Sequence, residues 1–170
     1  MFDTLVVNAS PLILLSRAGQ FSLLSSMGRR IVVPEAVLRE VLAHGPDDET
    51  VVALRGVHWL EVVQVDVIPP SIASWDLGIG ESSVLTWASA NVSSRAVLDD
   101  RAARRLADEL KVPVVGTLGL VLAAKRTGGR VILENDYVRV HNIVLEYPPA
   151  PRRVAEERPV VLYLQLGSDQ

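Results

Sequence analysis

Short apolar runs alternate along the chain with stretches in which apolar residues recur at helical spacing. Leu5-Val6-Val7 is continuous and brief, which predicts a buried strand. Asn8-Ala9-Ser10-Pro11 stops it, with Ser10 placed to cap a helix and Pro11 at its first position. That helix covers residues 12–17 and ends near Gly19, and residues 21–26 predict another helical turn. Ile31-Val32-Val33 is the second strand. Pro34 opens a helix from Glu35 to about Ala43, closed by Gly45-Pro46. Residues 47–54 have helical character, residues 59–67 strand character, and Pro69-Pro70 begins a loop. Gly78-Ile79-Gly80 leads into a helix over 81–90. Ala96-Val97-Leu98 is a strand ended by Asp99-Asp100, with a helix over 101–110 behind it. A strand over 112–115 ends at Gly116, and Thr117 caps a helix reaching Arg126 before Gly128-Gly129.

Repeated strand, turn and helix predicts an α/β fold in three layers, a central parallel sheet covered on both faces. The pattern changes after Gly129. Val131-Ile132-Leu133 and residues 137–145 and 160–166 predict strands, joined by a link over 147–159 that contains Pro and Arg. The expected organisation is therefore one α/β domain over residues 1–129 and a β-rich, antiparallel extension over 130–170. No internal repeat or low-complexity segment interrupts it.

Composition narrows the class. Of the 170 residues, 49% are hydrophobic but only 5% aromatic, so the core is built from Val, Leu, Ile and Ala. The absence of cysteine excludes a disulfide framework and thiolate metal sites, and fits a reducing compartment. Met1-Phe2-Asp3-Thr4 lacks the basic start of a secretory leader, and no apolar run reaches the length of a membrane span. A cytoplasmic protein away from membranes is expected. The formal net charge of −3 gives no general attraction to nucleic acid, so any RNA must be held by a local basic patch or a bound metal.

In open parallel sheets, ligands bind beyond the C-terminal ends of the strands. The polar residues that follow predicted strands are Asn8, Asp99 with Asp100, and Thr117. Glu40 lies in the second turn after the Val33 strand, and Glu81 begins a helix directly after Gly80. Carboxylates gathered on one edge repel one another unless a divalent cation joins them, and oxygen ligands suit Mg²⁺ or Mn²⁺. Such an ion activates water and stabilises charge on a phosphoryl oxygen, which is the chemistry of phosphodiester hydrolysis. Each residue also has a plainer reading. Ser10, Thr117 and Asp100 are good helix caps, Glu81 favours a helix dipole, and Glu40 is an ordinary glutamate of an amphipathic helix. Asp99 is the exception, because it closes an apolar strand directly before a second acid.

Val-Val-Asn8-Ala-Ser10-Pro-Leu-Ile, Val-Pro34-Glu-Ala-Val-Leu-Arg-Glu40-Val, Leu-Gly-Ile-Gly-Glu81, Val-Leu-Asp99-Asp100-Arg-Ala-Ala-Arg and Gly116-Thr-Leu-Gly119 occur in this order. Together, over roughly residues 4–128, they resemble a PIN domain, and most of all the branch related to VapC toxins. The resemblance implies a Mg²⁺- or Mn²⁺-dependent nuclease that cuts RNA, leaving a 3′ hydroxyl and a 5′ phosphate. It further implies a cognate antitoxin and a homodimer as partners. The family's four acids fall on Asn8, Glu40, Glu81 and Asp99, with Asp100 able to substitute for Asp99. Ser10 and Thr117 match small hydroxyl positions beside the metal. Two features depart from the family pattern. Asn8 is an amide, which ligates a metal but brings no charge and cannot act as a base. The tail is β-rich where helical material is the family norm.

The remaining signals are weaker. Gly78-Ile79-Gly80 is a fragment of a dinucleotide fingerprint without its strand or third glycine. His44, His58 and His141 lack metal-ligand spacing. Arg101, Arg104 and Arg105 share one helix face beginning beside Asp99, fit to hold RNA phosphates or to pair with Asp108 and Glu109. Trp59, Trp75 and Trp87 are able to stack bases, although the mid-helix position of Trp87 favours the core. The rival reading is a PIN-type module, disarmed at Asn8, that acts by binding RNA or protein.

Overall fold

In the computed structural model the described residues are 1–126 and, in the tail, strand residues 137–140, 143–146 and 164–166. The chain runs β1 (Phe2–Val7), α1 (Ala9–Arg17), α2 (Leu23–Met27), β2 (Gly28–Pro34), α3 (Glu35–Leu42), α4 (Glu49–Arg55) and β3 (Leu60–Val63). It continues through α5 (Pro70–Ala73), α6 (Ile79–Ala90), β4 (Ser94–Val97), α7 (Arg101–Glu109), β5 (Val114–Val115) and α8 (Thr117–Arg126). Strands β6 (Tyr137–Val140), β7 (Ile143–Glu146) and β8 (Leu164–Leu166) follow.

The first five strands form one parallel sheet in the order β3-β2-β1-β4-β5. Its centre shows no inside-outside alternation: Leu5, Val6, Val7, Val32, Val33, Ala96 and Val97 are all fully buried. Strands covered on both faces are selected for continuous apolar sequence in this way. The right-handed rule for crossovers between parallel strands sends the helices between β1, β2 and β3 to one face and those between β3, β4 and β5 to the other. Accordingly α1 packs against α4 and α8, whereas α6 lies across β1, β2 and β4 and against α5 and α7. Helix α3 touches both α1 and α6, bridging the two layers. The sheet is thus sandwiched in the three-layer α/β/α arrangement. At the β2–β3 edge, Arg30 grips Glu61 with two hydrogen bonds of 2.7 and 2.6 Å.

Two local expectations need correction. Helix α1 starts at Ala9 with Asn8 in the N-cap position, so Ser10 and Pro11 lie within the first turn and Ser10 is not the cap. Proline is tolerated there because the N–H it lacks has no intrahelical acceptor. The Pro69-Pro70 segment is not all loop, because Pro70 opens the short helix α5 and Ile72 is buried. The tail strands pair antiparallel in the order β6-β7-β8. Val131-Ile132-Leu133, the link over 147–159, Gly128-Gly129 and His141 lie outside the described residues.

The order of the strands decides where a site can form. The chain moves outward from β1 to β2 and β3, then returns to the other side of β1 as β4 and β5. Direction therefore reverses between β1 and β4, and in such sheets the crevice opens beyond the C-terminal ends of those two strands. Asn8 follows β1 there, and Leu98-Asp99 follows β4.

Candidate functional site

Asn8 is buried, with 2% of its surface exposed, and its amide N–H donates to the Val97 carbonyl at 3.2 Å. That bond ties the end of β1 to β4. The backbone is extended, and the side chain does not cap α1. Instead Nδ2 donates to Glu81 Oε1 at 3.0 Å, across 73 residues of sequence. The reverse amide orientation would set Oδ1 against a carboxylate, so the chemistry fixes which end is which. Asn8 Oδ1 is then left buried with no hydrogen-bond partner among the described residues. An orphaned buried acceptor costs about 1–3 kcal/mol unless something outside the chain satisfies it.

What lies beside that oxygen is Glu40. A β-carbon at position 80 would sit 2.9 Å from Glu40 Oε2 and 3.1 Å from Asn8 Oδ1. Gly80, in the first turn of α6, is therefore the gap through which α3 and β1 bring these two oxygens together. Partial burial raises the Glu40 carboxyl above its ordinary range, and the nearby charge of Glu81 raises it further, while His44 opposes both. Glu81 stands in the first turn of α6, where the helix dipole favours an anion.

Across the crevice, Asp99 is turned to α8. Its Oδ1 accepts from the Thr117 backbone N–H at 2.8 Å and its Oδ2 from Thr117 Oγ1 at 2.6 Å. Asp100 caps α7 by accepting from the Ala103 N–H at 2.8 Å. Arg104 bends back from α7, with Nη1 donating to the Leu98 carbonyl at 3.5 Å. A β-carbon at Gly116 would lie 2.8 Å from that Nη1 and 3.1 Å from Asp99 Oδ1. Arg101 and Arg105 are exposed on α7, and among the described residues neither forms an ion pair with Asp108 or Glu109. Ser10 is exposed in the first turn of α1.

The fold thus gathers Asn8, Glu40 and Glu81 into one cluster and leaves Asp99 with Thr117 on the neighbouring strand end. Among the described residues no three acidic or histidine side chains group tightly enough to hold a metal by themselves. The donors that do converge are one amide oxygen and two carboxylates. Mg²⁺ and Mn²⁺ accept such a set, since Mg²⁺ in particular binds through one or two carboxylates and keeps several waters. The orphaned Asn8 Oδ1 and the raised Glu40 carboxyl are both relieved by a cation, so the residues fit one.

Reasoning from sequence named Gly80 and Gly116 only as motif positions, and missed the close approaches they admit and the separate contact of Arg104. Gly80 and Gly116 each directly or closely precede a candidate site residue, and close approach of polar groups is a reason for glycine. Trp59 and Trp87 have partners of their own, and Trp75 is partly buried against the core. Trp59 packs on Phe21 with ring centroids 5.5 Å apart, and Arg30 covers Trp87 at 5.5 Å. Trp87 also borders a cleft of about 230 Å³ with Thr4, Arg30, Asn91 and Ser94, at the opposite end of the strands. His44 and His58 are exposed and apart from one another in the chain.

A family model described as a PIN domain matches residues 4–135. No curated protein matches the chain.

Proposed function

The chain belongs to the PIN-domain family, and on that premise we propose that it is a metal-dependent endoribonuclease. The observation that carries the proposal is the convergence of Asn8 Oδ1 and Glu40 Oε2 beside Gly80, with Glu81 held to Asn8. Asn8, Glu40 and Glu81 would hold Mg²⁺ or Mn²⁺. When bound, the ion lowers the pKa of a ligated water and stabilises charge on the phosphoryl oxygens. Asn8 fixes the Glu81 rotamer through its Nδ2–H and offers a neutral oxygen to the site. Glu40 brings Oε2 to Gly80 from α3 and would offer that oxygen to the ion. Asp99, positioned by Thr117, closes the other side of the crevice, and the arginines of α7 supply positive charge for the RNA backbone. In-line hydrolysis would leave a 3′ hydroxyl and a 5′ phosphate. The resemblance to VapC-related sequences supports a toxin of a type II pair, acting in the cytoplasm with a cognate antitoxin as partner and as a homodimer.

One observation favours a second reading. Asn8 places an N–H donor against Glu81 where a carboxylate would add charge for the metal. A weakened site would leave a module that binds RNA or protein without turnover. Cleavage of a labelled single-stranded RNA pool in Mn²⁺ separates the two. The expected outcome is cutting by the native chain that is lost in Glu81→Gln and Asp99→Asn. Cutting that appears only in Asn8→Asp would establish the disarmed reading instead.

A further inference from the structure

Three arginines on one helix face look equivalent in sequence and all three are exposed, but among the described residues Arg104 alone of the three makes a side-chain hydrogen bond, to the end of β4. Its Nη1 lies against the Leu98 carbonyl at 3.5 Å, a long contact that engages one of the five guanidinium donors. Asp99, whose Oδ1 is also near Gly116, has both oxygens engaged by Thr117. Among the described residues Arg104 forms no ion pair. The guanidinium thus reaches the C-terminal edge of the sheet with donors to spare, next to a carboxylate already committed to a neighbour. Gly116 keeps this place open, because a β-carbon there would collide with Nη1 at 2.8 Å. A planar fork with free donors matches the non-bridging oxygens of a phosphodiester.

We propose that Arg104, admitted by Gly116, is the residue that grips the RNA phosphodiester at the crevice, while Arg101 and Arg105 contribute only diffuse charge. The proposal rests on the ribonuclease reading above and specifies how that site takes its substrate. Arg104 acts as a binding residue, distinct from Glu40 and Glu81. Gly116 acts as a positioning residue, because a β-carbon there obliges the flexible guanidinium end to shift.

The test measures affinity of the full chain for labelled single-stranded RNA in Ca²⁺, alongside cleavage in Mn²⁺. Variants are Arg104→Ala, Arg104→Lys, Gly116→Ala, Arg101→Ala and Arg105→Ala. Loss of a charged hydrogen-bonding partner predicts about 10- to 100-fold weaker binding for Arg104→Ala. Arg104→Lys, which keeps a point charge without the fork, should fall between, and Gly116→Ala, which only shifts the flexible guanidinium end, should weaken binding less than Arg104→Ala with its melting temperature retained. Arg101→Ala and Arg105→Ala should each weaken binding less than about 3-fold. A native chain that binds and cuts RNA, with Arg104→Ala no weaker than Arg101→Ala, overturns the assignment of Arg104 and leaves the ribonuclease reading standing. A native chain that neither binds nor cuts overturns both.

Discussion

At the scale of single residues, the site is defined by one unusual substitution of charge by dipole. Asn8 holds Glu81 with its N–H and leaves Oδ1 beside Glu40, so the cluster carries two formal charges. Those two charges already strain each other. Burial and the repulsion of Glu81 raise the Glu40 carboxyl, so the folded state holds its proton more tightly than the unfolded chain does. The sign follows directly: stability falls as pH rises from the ordinary carboxylate value of 4.5 through the raised one, and the penalty is fully present at neutral pH. Glu40→Gln removes it. In chelator at pH 7 the variant should melt above the native chain by about 1 °C, a small gain because water screens this rim carboxylate. Near about pH 3, where both carboxyl forms are neutral, the difference should vanish. Thermal melts at the two pH values check this, and an equal difference at both would remove electrostatic strain as the cause. Asn8 was legible as a candidate because it directly follows a strand, Glu40 because it lies in the second turn after one, and Glu81 because it opens a helix directly after Gly80. The turning of Asp99 toward Thr117 was not legible, since that rotamer is set by a partner 18 residues away.

Among the elements, α3 and α7 show how the same polar residue serves structure or site according to where its helix points. Helix α3 bridges α1 and α6, and by doing so delivers Glu40 from β2's crossover to Glu81 on the opposite layer. Nothing in the local pattern of α3 announces that bridging, which depends on the strand order. Helix α7 is the reverse case, because its start is readable from Asp100 alone. Asp100 accepts from the Ala103 N–H at Oδ1 in the N-cap position, which gives it a structural task at the start of α7. Asp100→Ala should therefore cost about 1 kcal/mol and lower the melting temperature by about 3 °C. Cleavage of RNA should stay within about 3-fold of native, because a capping loss alone does not remove a ligand. Loss of cleavage with unchanged melting would instead make Asp100 the acid that stands in for Asp99. The early start of α1 and the short helix α5 escaped the sequence because proline and Ser-x signals mark turns and first helical turns alike.

For the whole molecule, the question is how a chain of net charge −3 holds a polyanion. Overall attraction is absent, so affinity must come from few contacts at the site. If the grip of Arg104 and the diffuse charge of Arg101 and Arg105 supply all of it, at most three phosphates are neutralised. For single strands each phosphate contributes about −0.7 to the slope of log affinity against log salt, giving a slope of about −2. A titration of RNA binding across salt concentrations measures this directly. A slope near that value supports a local α7 patch, and Arg104→Ala should make it shallower by about 0.7. A slope steeper than about −4 requires more cations than α7 provides. The remaining candidates would include Arg139, Arg152, Arg153 and Arg158, which follow the α/β layers in the sequence. Repeating the titration with these four changed to Gln then assigns the excess. A return to about −2 would make residues 130–170 part of the RNA-binding surface, and an unchanged steep slope would place the extra contacts on the α/β layers themselves.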